Sequence, residues 1–145
     1  MNWNGVSNDE RLCLWKNLRN NLKGVEFEDQ LKEIAKFYAA TPFGSRSVDY
    51  YSPDEWPTPW EILFYGTFCI SSISLLIFYT IQLTSDNHKV DLYLVDDDSD
   101  VFLLPVIDDR FVLNYQHGVV SNYSDIKDEF KIIKITTQDQ VKAIV

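Results

Sequence analysis

The sequence predicts an α+β fold in which N-terminal helices and a central cysteine-bearing helix pack on an antiparallel β-sheet. Three observations predict it. Apolar residues recur at helical spacing through the first half; the period changes to two after "TSDNH" (84–88); and there is neither βαβ alternation nor an internal repeat. With 145 residues, 46% hydrophobic and 14% aromatic, the chain can bury one sizeable core, so residues 1–145 read as a single domain.

The elements follow in order. From Asn8 to Leu22, Leu12, Trp15, Leu18 and Leu22 form an apolar stripe while Arg11, Lys16, Arg19 and Lys23 point elsewhere, and Cys13 falls among the apolar positions. Gly24 stops this helix. A second is predicted from Glu26 to Ala40, with Phe27, Leu31, Ile34, Ala35 and Tyr38 on one stripe and acidic residues in the first turn, where they suit the helix dipole; Thr41 and Pro42 end it. Residues 43–57 have no period and read as loop. In "TPWEILFYG" Thr58 is a natural N-cap, Pro59 suits the first helical position, Glu61 completes a capping box and Gly66 ends the helix.

After a bend at Gly66 and Thr67, Cys69 opens an apolar helix running to about Leu83. Its thiol then lies in the first turn, where unpaired amides and the helix dipole favour a thiolate. The run "FCISSISLLIFYTIQL" is shorter than the roughly 20 residues a membrane-spanning helix needs and contains Ser71, Ser72 and Ser74, so it reads as a buried core helix. Beyond it, "KVDLYLVD", "VFLLPVID" and "RFVLNY" read as an antiparallel meander, with another strand in "FKIIKITT". One face of this sheet is expected to pack on the Cys69 helix.

Composition narrows the function. There are 22 acidic and 13 basic residues, a net charge of -9, which argues against nucleic acid as a partner. The acidity reads as solubility, with docking on a basic protein as the sharper alternative. The N-terminus has neither a basic start nor a continuous apolar region, so Cys13 and Cys69 are expected as reduced thiols in a cytoplasmic protein with no membrane segment. The run Asp96–Asp100 lacks the glycine hinge and distal glutamate of a calcium loop and reads as a solvated turn. No glycine-rich phosphate loop and no zinc spacing occurs, so neither a cofactor nor a metal is expected. Among the clustered aromatics, Trp60 and Phe64 read as core, whereas Tyr50, Tyr51 and Trp56 are candidate binding residues.

The stretch "EWPTPWEILFYGTFC" resembles the bacterial transglutaminase-like cysteine peptidases of the papain-like/transglutaminase-like superfamily. Their pattern of Trp, Thr-Pro, Glu, Leu, Gly and nucleophilic Cys is matched by Trp56, Thr58, Pro59, Glu61, Leu63, Gly66 and Cys69. The preceding "LKEIAKFY" is also similar, so the resemblance covers most of the chain. It implies Cys69 as nucleophile, a His at the start of one strand and an Asp on the next. Here Asp100 stands at the His position and Asn114 at the Asp position, and the acidic residues associated with calcium in that family are absent from "TFCIS".

Those replacements matter chemically. From ordinary values, a cysteine proton passed to imidazole moves about two pK units uphill, roughly 2.7 kcal/mol, and the imidazolium then stabilises the thiolate. Passed to a carboxylate, it moves about 4.6 units uphill, roughly 6 kcal/mol, and an ionised Asp would repel the thiolate. An amide at position 114 could still orient an imidazole, but none is supplied. His117, beyond the third strand, is a possible substitute base, although an exposed loop residue is the simpler reading; His88 reads as a solvated turn residue. Three functions follow. The first is a catalytically impaired homologue acting as a binding or regulatory protein with a protein partner, its oligomeric state not readable. The second is an active cysteine hydrolase with a non-standard base, and the third an unrelated small α+β domain.

Overall fold

The computed structural model describes residues 5–41, 48–66, 68–85 and 87–141. Pro42, residues 43–47 of the expected loop and Thr67 of the expected bend lie outside them. The helices are α1 (Asn8–Asn21), α2 (Phe27–Ala39), α3 (Pro59–Tyr65), α4 (Ile70–Thr84) and the single turn α5 (Tyr123–Ile126). The strands are β1 (Val90–Asp96), β2 (Val101–Ile107), β3 (Phe111–Val112), β4 (Ser121–Asn122) and β5 (Lys131–Thr136), in the spatial order β4-β3-β2-β1-β5 with every pairing antiparallel.

The α+β class therefore holds, with one revision to the sheet. The further strand expected in "FKIIKITT" is β5, which pairs at the opposite edge, where Tyr93 faces Ile135 and the open side of β1 is paired. The strand expected over 110–115 stops at Val112, because Asn114 takes a left-handed conformation (φ 67°) that asparagine tolerates better than most residues. No helix among the described residues is long and apolar enough to cross a membrane.

Helix α4 is the axis of the molecule, buried without interruption from Ser71 to Ile81. Leu92 and Leu94 of β1 and Leu103 and Ile107 of β2 join it in the main core, to which α1 and its C-cap add Trp15, Leu18 and Leu22 and α2 adds Leu31, Ile34 and Tyr38. The alternate residues Tyr93, Val95, Phe102, Leu104 and Val106 form a second cluster on the other face with Ile126 and Phe130. β1 and β2 are thus covered on both sides, which accounts for their nearly continuous apolar sequence.

Three helices meet at one hydroxyl. Thr80 Oγ1 donates to Leu76 O (2.6 Å), so its lone pairs receive Trp15 Nε1–H (2.9 Å) and the Tyr38 hydroxyl (2.9 Å). Burial pushes the Tyr38 phenol well above its usual range. The serines of α4 do comparable work against the sheet. Since β3 pairs only with Val106 and Ile107, Leu103 has no strand neighbour on that side. Instead its N–H donates to Ser71 Oγ (3.2 Å) and its carbonyl accepts from Ser74 Oγ (2.7 Å).

Some surface expectations change. Cys13 is exposed rather than among the buried positions, since two residues of helix turn it about 200° from Trp15. Both cysteines are free thiols. His88 is not a solvated turn residue: its ring stacks on Phe27 (centroids 3.4 Å apart) and its Nδ1 lies 2.6 Å from Asp108 Oδ2.

Candidate functional site

The segment leading to Cys69 is locked from both ends. Thr58 Oγ1 accepts the Glu61 N–H (3.3 Å) while Glu61 Oε1 accepts the Thr58 N–H (3.2 Å), completing the capping box anticipated from sequence. Gly66 ends α3 in a left-handed conformation (φ 71°). It is required twice over, because a Cβ there would also lie 2.7 Å from the Arg11 guanidinium carbon. Arg11 itself holds the end of α3, donating from Nε to Leu63 O (2.6 Å), from Nη2 to Phe64 O (2.9 Å) and from Nη1 to Val6 O (2.5 Å). It looked like one of the solvent-facing cations of α1. No local pattern reveals a partner some fifty residues away, and only the unpaired carbonyls that every helix end carries hint at one.

Cys69 is the N-cap of α4. Its half-buried Sγ accepts the Ser72 N–H (3.3 Å), while Ser72 Oγ accepts the Cys69 N–H (2.9 Å) and donates to Cys69 O (3.0 Å). The sulfur thus takes the place a serine hydroxyl occupies in an ordinary helix cap. Asn114 reaches the same turn from beyond β3, donating its amide hydrogens to Ile70 O (2.9 Å) and Ser74 Oγ (2.9 Å). Cys69 and Asn114 are therefore brought to one turn of α4, with Asn114 fastened to the helix.

Asp100 lies in the exposed β1–β2 turn, and its hydrogen bonds stay local. Its N–H donates to Asp97 Oδ1 (2.8 Å) and its Oδ1 accepts the Val101 N–H (2.9 Å). The two imidazoles lie farther along. His117 Nε2 donates to Ala39 O at the end of α2, which fixes the proton on that nitrogen, and His117 lines a small void with Tyr38, Ile77 and Asn114. Ile77 is eight residues past Cys69, about 12 Å along the helix. His88 follows the C-terminus of α4, about 22 Å from Cys69 by helix length.

The candidate binding aromatics separate clearly. Trp56 is 2% exposed and donates its Nε1–H to Asp49 O (2.6 Å), closing its own loop. Tyr50 is half-buried, its hydroxyl donating to Val101 O (2.9 Å) at the start of β2. Only Tyr51 of the three is exposed. Conversely, Trp60 and Phe64, expected in the core, are 44% and 61% exposed. Pro59, Ile62 and Leu63 supply the buried side of α3, and a seven-residue helix has no room for a second. A concavity of about 600 Å³ lies apart from all these residues, between α1 and α2, over Leu18, Leu22 and Phe37.

This fold, helices packed on a five-stranded antiparallel sheet, is shared with solved structures of Legionella pneumophila LapG, a bacterial transglutaminase-like cysteine protease. One superposes with a TM-score of 0.69 at 14% identity, covering 88% of this chain and 73% of that one. An EGTA-treated form gives 0.70 at 13% identity, covering 90% and 77%. The chain has the transglutaminase-like fold. A calcium-bound form matches with a TM-score of 0.65 at 12% identity, covering 92% and 81%. No protein-family model and no curated protein matches the chain.

One of those LapG structures is calcium-bound, and among the described residues here no donor set for such an ion is found. Phe68, Ile70, Ser71 and Ser72 surround Cys69 without a carboxylate, and no cluster of His, Cys, Asp or Glu able to hold a metal occurs among the described residues. Calcium needs six to eight oxygens, several of them usually carboxylate, so these residues do not fit it.

Proposed function

We propose that this chain is a transglutaminase-fold protein that has lost peptidase chemistry and acts by binding a protein partner. One observation supports this reading: both histidines are engaged away from Cys69, His88 with Asp108 and His117 with the Ala39 carbonyl. A positioned general base contributes about 10²–10⁴-fold to such chemistry. The only ionisable side chain at the equivalent strand position, Asp100, is an exposed carboxylate engaged in its own turn. Asn114, which could have oriented an imidazole, instead donates both amide hydrogens to α4. Cys69 is retained in this account because its sulfur caps the helix.

The test is proteolysis. Incubation with casein and with a mixed fluorogenic peptide pool is expected to give no cleavage above that of Cys69→Ala. Cleavage by the wild type that disappears in Cys69→Ala would establish an active hydrolase and overturn this reading.

A further inference from the structure

We propose, resting on the binding role above, that the outward face of α3 is the docking surface and that its occupant is a lysine- or arginine-bearing segment of a partner protein. Trp60 and Phe64 stand one helical turn apart, and Glu61 and Tyr65 form the adjacent stripe, so the solvent side of α3 is three aromatic rings and one carboxylate. Tyr65 is 50% exposed, like its neighbours too open to be core. Such a patch on a helix is unusual for a surface that meets only water, and Trp and Tyr are the residues that anchor protein contacts most strongly.

The rings are also held in place. Trp60 packs edge-on against the fully buried Trp15 (centroids 5.2 Å), and Phe64 and Tyr65 pack edge to face (5.6 Å). The carbonyls beneath them are fixed by Arg11. A rigid aromatic platform loses little conformational freedom when covered.

Charge selects the occupant. Residues 48–66 contain Asp49, Asp54, Glu55 and Glu61 and no lysine or arginine; indeed none occurs anywhere between Arg46 and Lys89. Arg11, which reaches the end of α3, has its guanidinium committed to backbone carbonyls. An acidic segment carrying exposed aromatic rings suits a cation twice, through the carboxylates and through the rings. The net charge of -9 draws a basic partner from a distance and opposes pairing of this face with a second, identically charged copy.

Selection from a random peptide library displayed on phage tests this, with wild type and Trp60→Ala/Phe64→Ala as baits and circular dichroism confirming that both baits fold. Peptides enriched on wild type are expected to combine Lys or Arg with apolar residues and to bind the double variant at least about tenfold more weakly. A synthetic copy of the best peptide should lose affinity with added salt. Glu61→Gln, which keeps the capping acceptor, should flatten that salt dependence. Enrichment of acidic peptides, no enrichment, undiminished binding by the double variant, or self-association abolished by Trp60→Ala would each overturn the assignment. These outcomes are separate from the proteolysis result: cleavage through Cys69 removes the non-catalytic role, whereas failure here removes only this face and this partner.

Discussion

Thr80→Val is expected to lower the unfolding free energy by about 2–5 kcal/mol, although valine has nearly the same shape as threonine. The loss comes from partners. Trp15 Nε1–H and the Tyr38 hydroxyl both donate to Thr80 Oγ1 in a fully buried setting, and both lose that acceptor once it is a methyl group. Each orphaned donor costs about 1–3 kcal/mol, while the carbonyl of Leu76 keeps its ordinary helical bond. Urea unfolding followed by Trp fluorescence measures the change. A companion Thr80→Ser, which keeps the oxygen, should lose less; equal losses would place the effect in packing rather than in the hydroxyl.

Asn114→Asp should be the second large effect, about 2–4 kcal/mol at neutral pH. Asparagine and aspartate both tolerate the left-handed backbone at this position, so the comparison isolates the side chain. A carboxylate has no hydrogen to give, and it would face the Ile70 carbonyl and the Ser74 hydroxyl that Asn114 now serves. Part of the lost stability should return on acidification, because a protonated carboxyl regains one donor. The variant that nominally restores the aspartate of a catalytic triad is thus expected to damage the fold. Unchanged stability would mean that the amide does not hold α4 to the sheet.

What could be read from sequence was what is encoded locally. The α3 cap involves residues three apart, Gly66 marks its own helix end, and the period-two runs identify β1, β2 and β5. What could not be read depends on distant partners. Arg11 and Leu63 are far apart in sequence, as are Trp15 and Thr80, and neither pair leaves a periodic trace. Trp60 and Phe64 looked like core because they are large and aromatic, but Pro59, Ile62 and Leu63 already fill the inner side of a short helix. β4 and α5 are too short for any period to show. In the site, the position of Cys69 was legible from its capping context, whereas the attachment of Asn114 to Ile70 and Ser74 required the turn at φ 67° to be known.

The central claim, that the first turn of α4 no longer activates a nucleophile, has an internal reference in Cys13, an exposed thiol on α1 remote from any helix cap. Iodoacetamide labelling near neutral pH, with the rate at each cysteine followed by peptide mass mapping, compares the two within one sample. Half-buried Cys69, with no base hydrogen-bonded to its sulfur among the described residues, is expected to be labelled more slowly than Cys13. Labelling of Cys69 about tenfold or more faster than Cys13 would reveal an activated thiolate and contradict it.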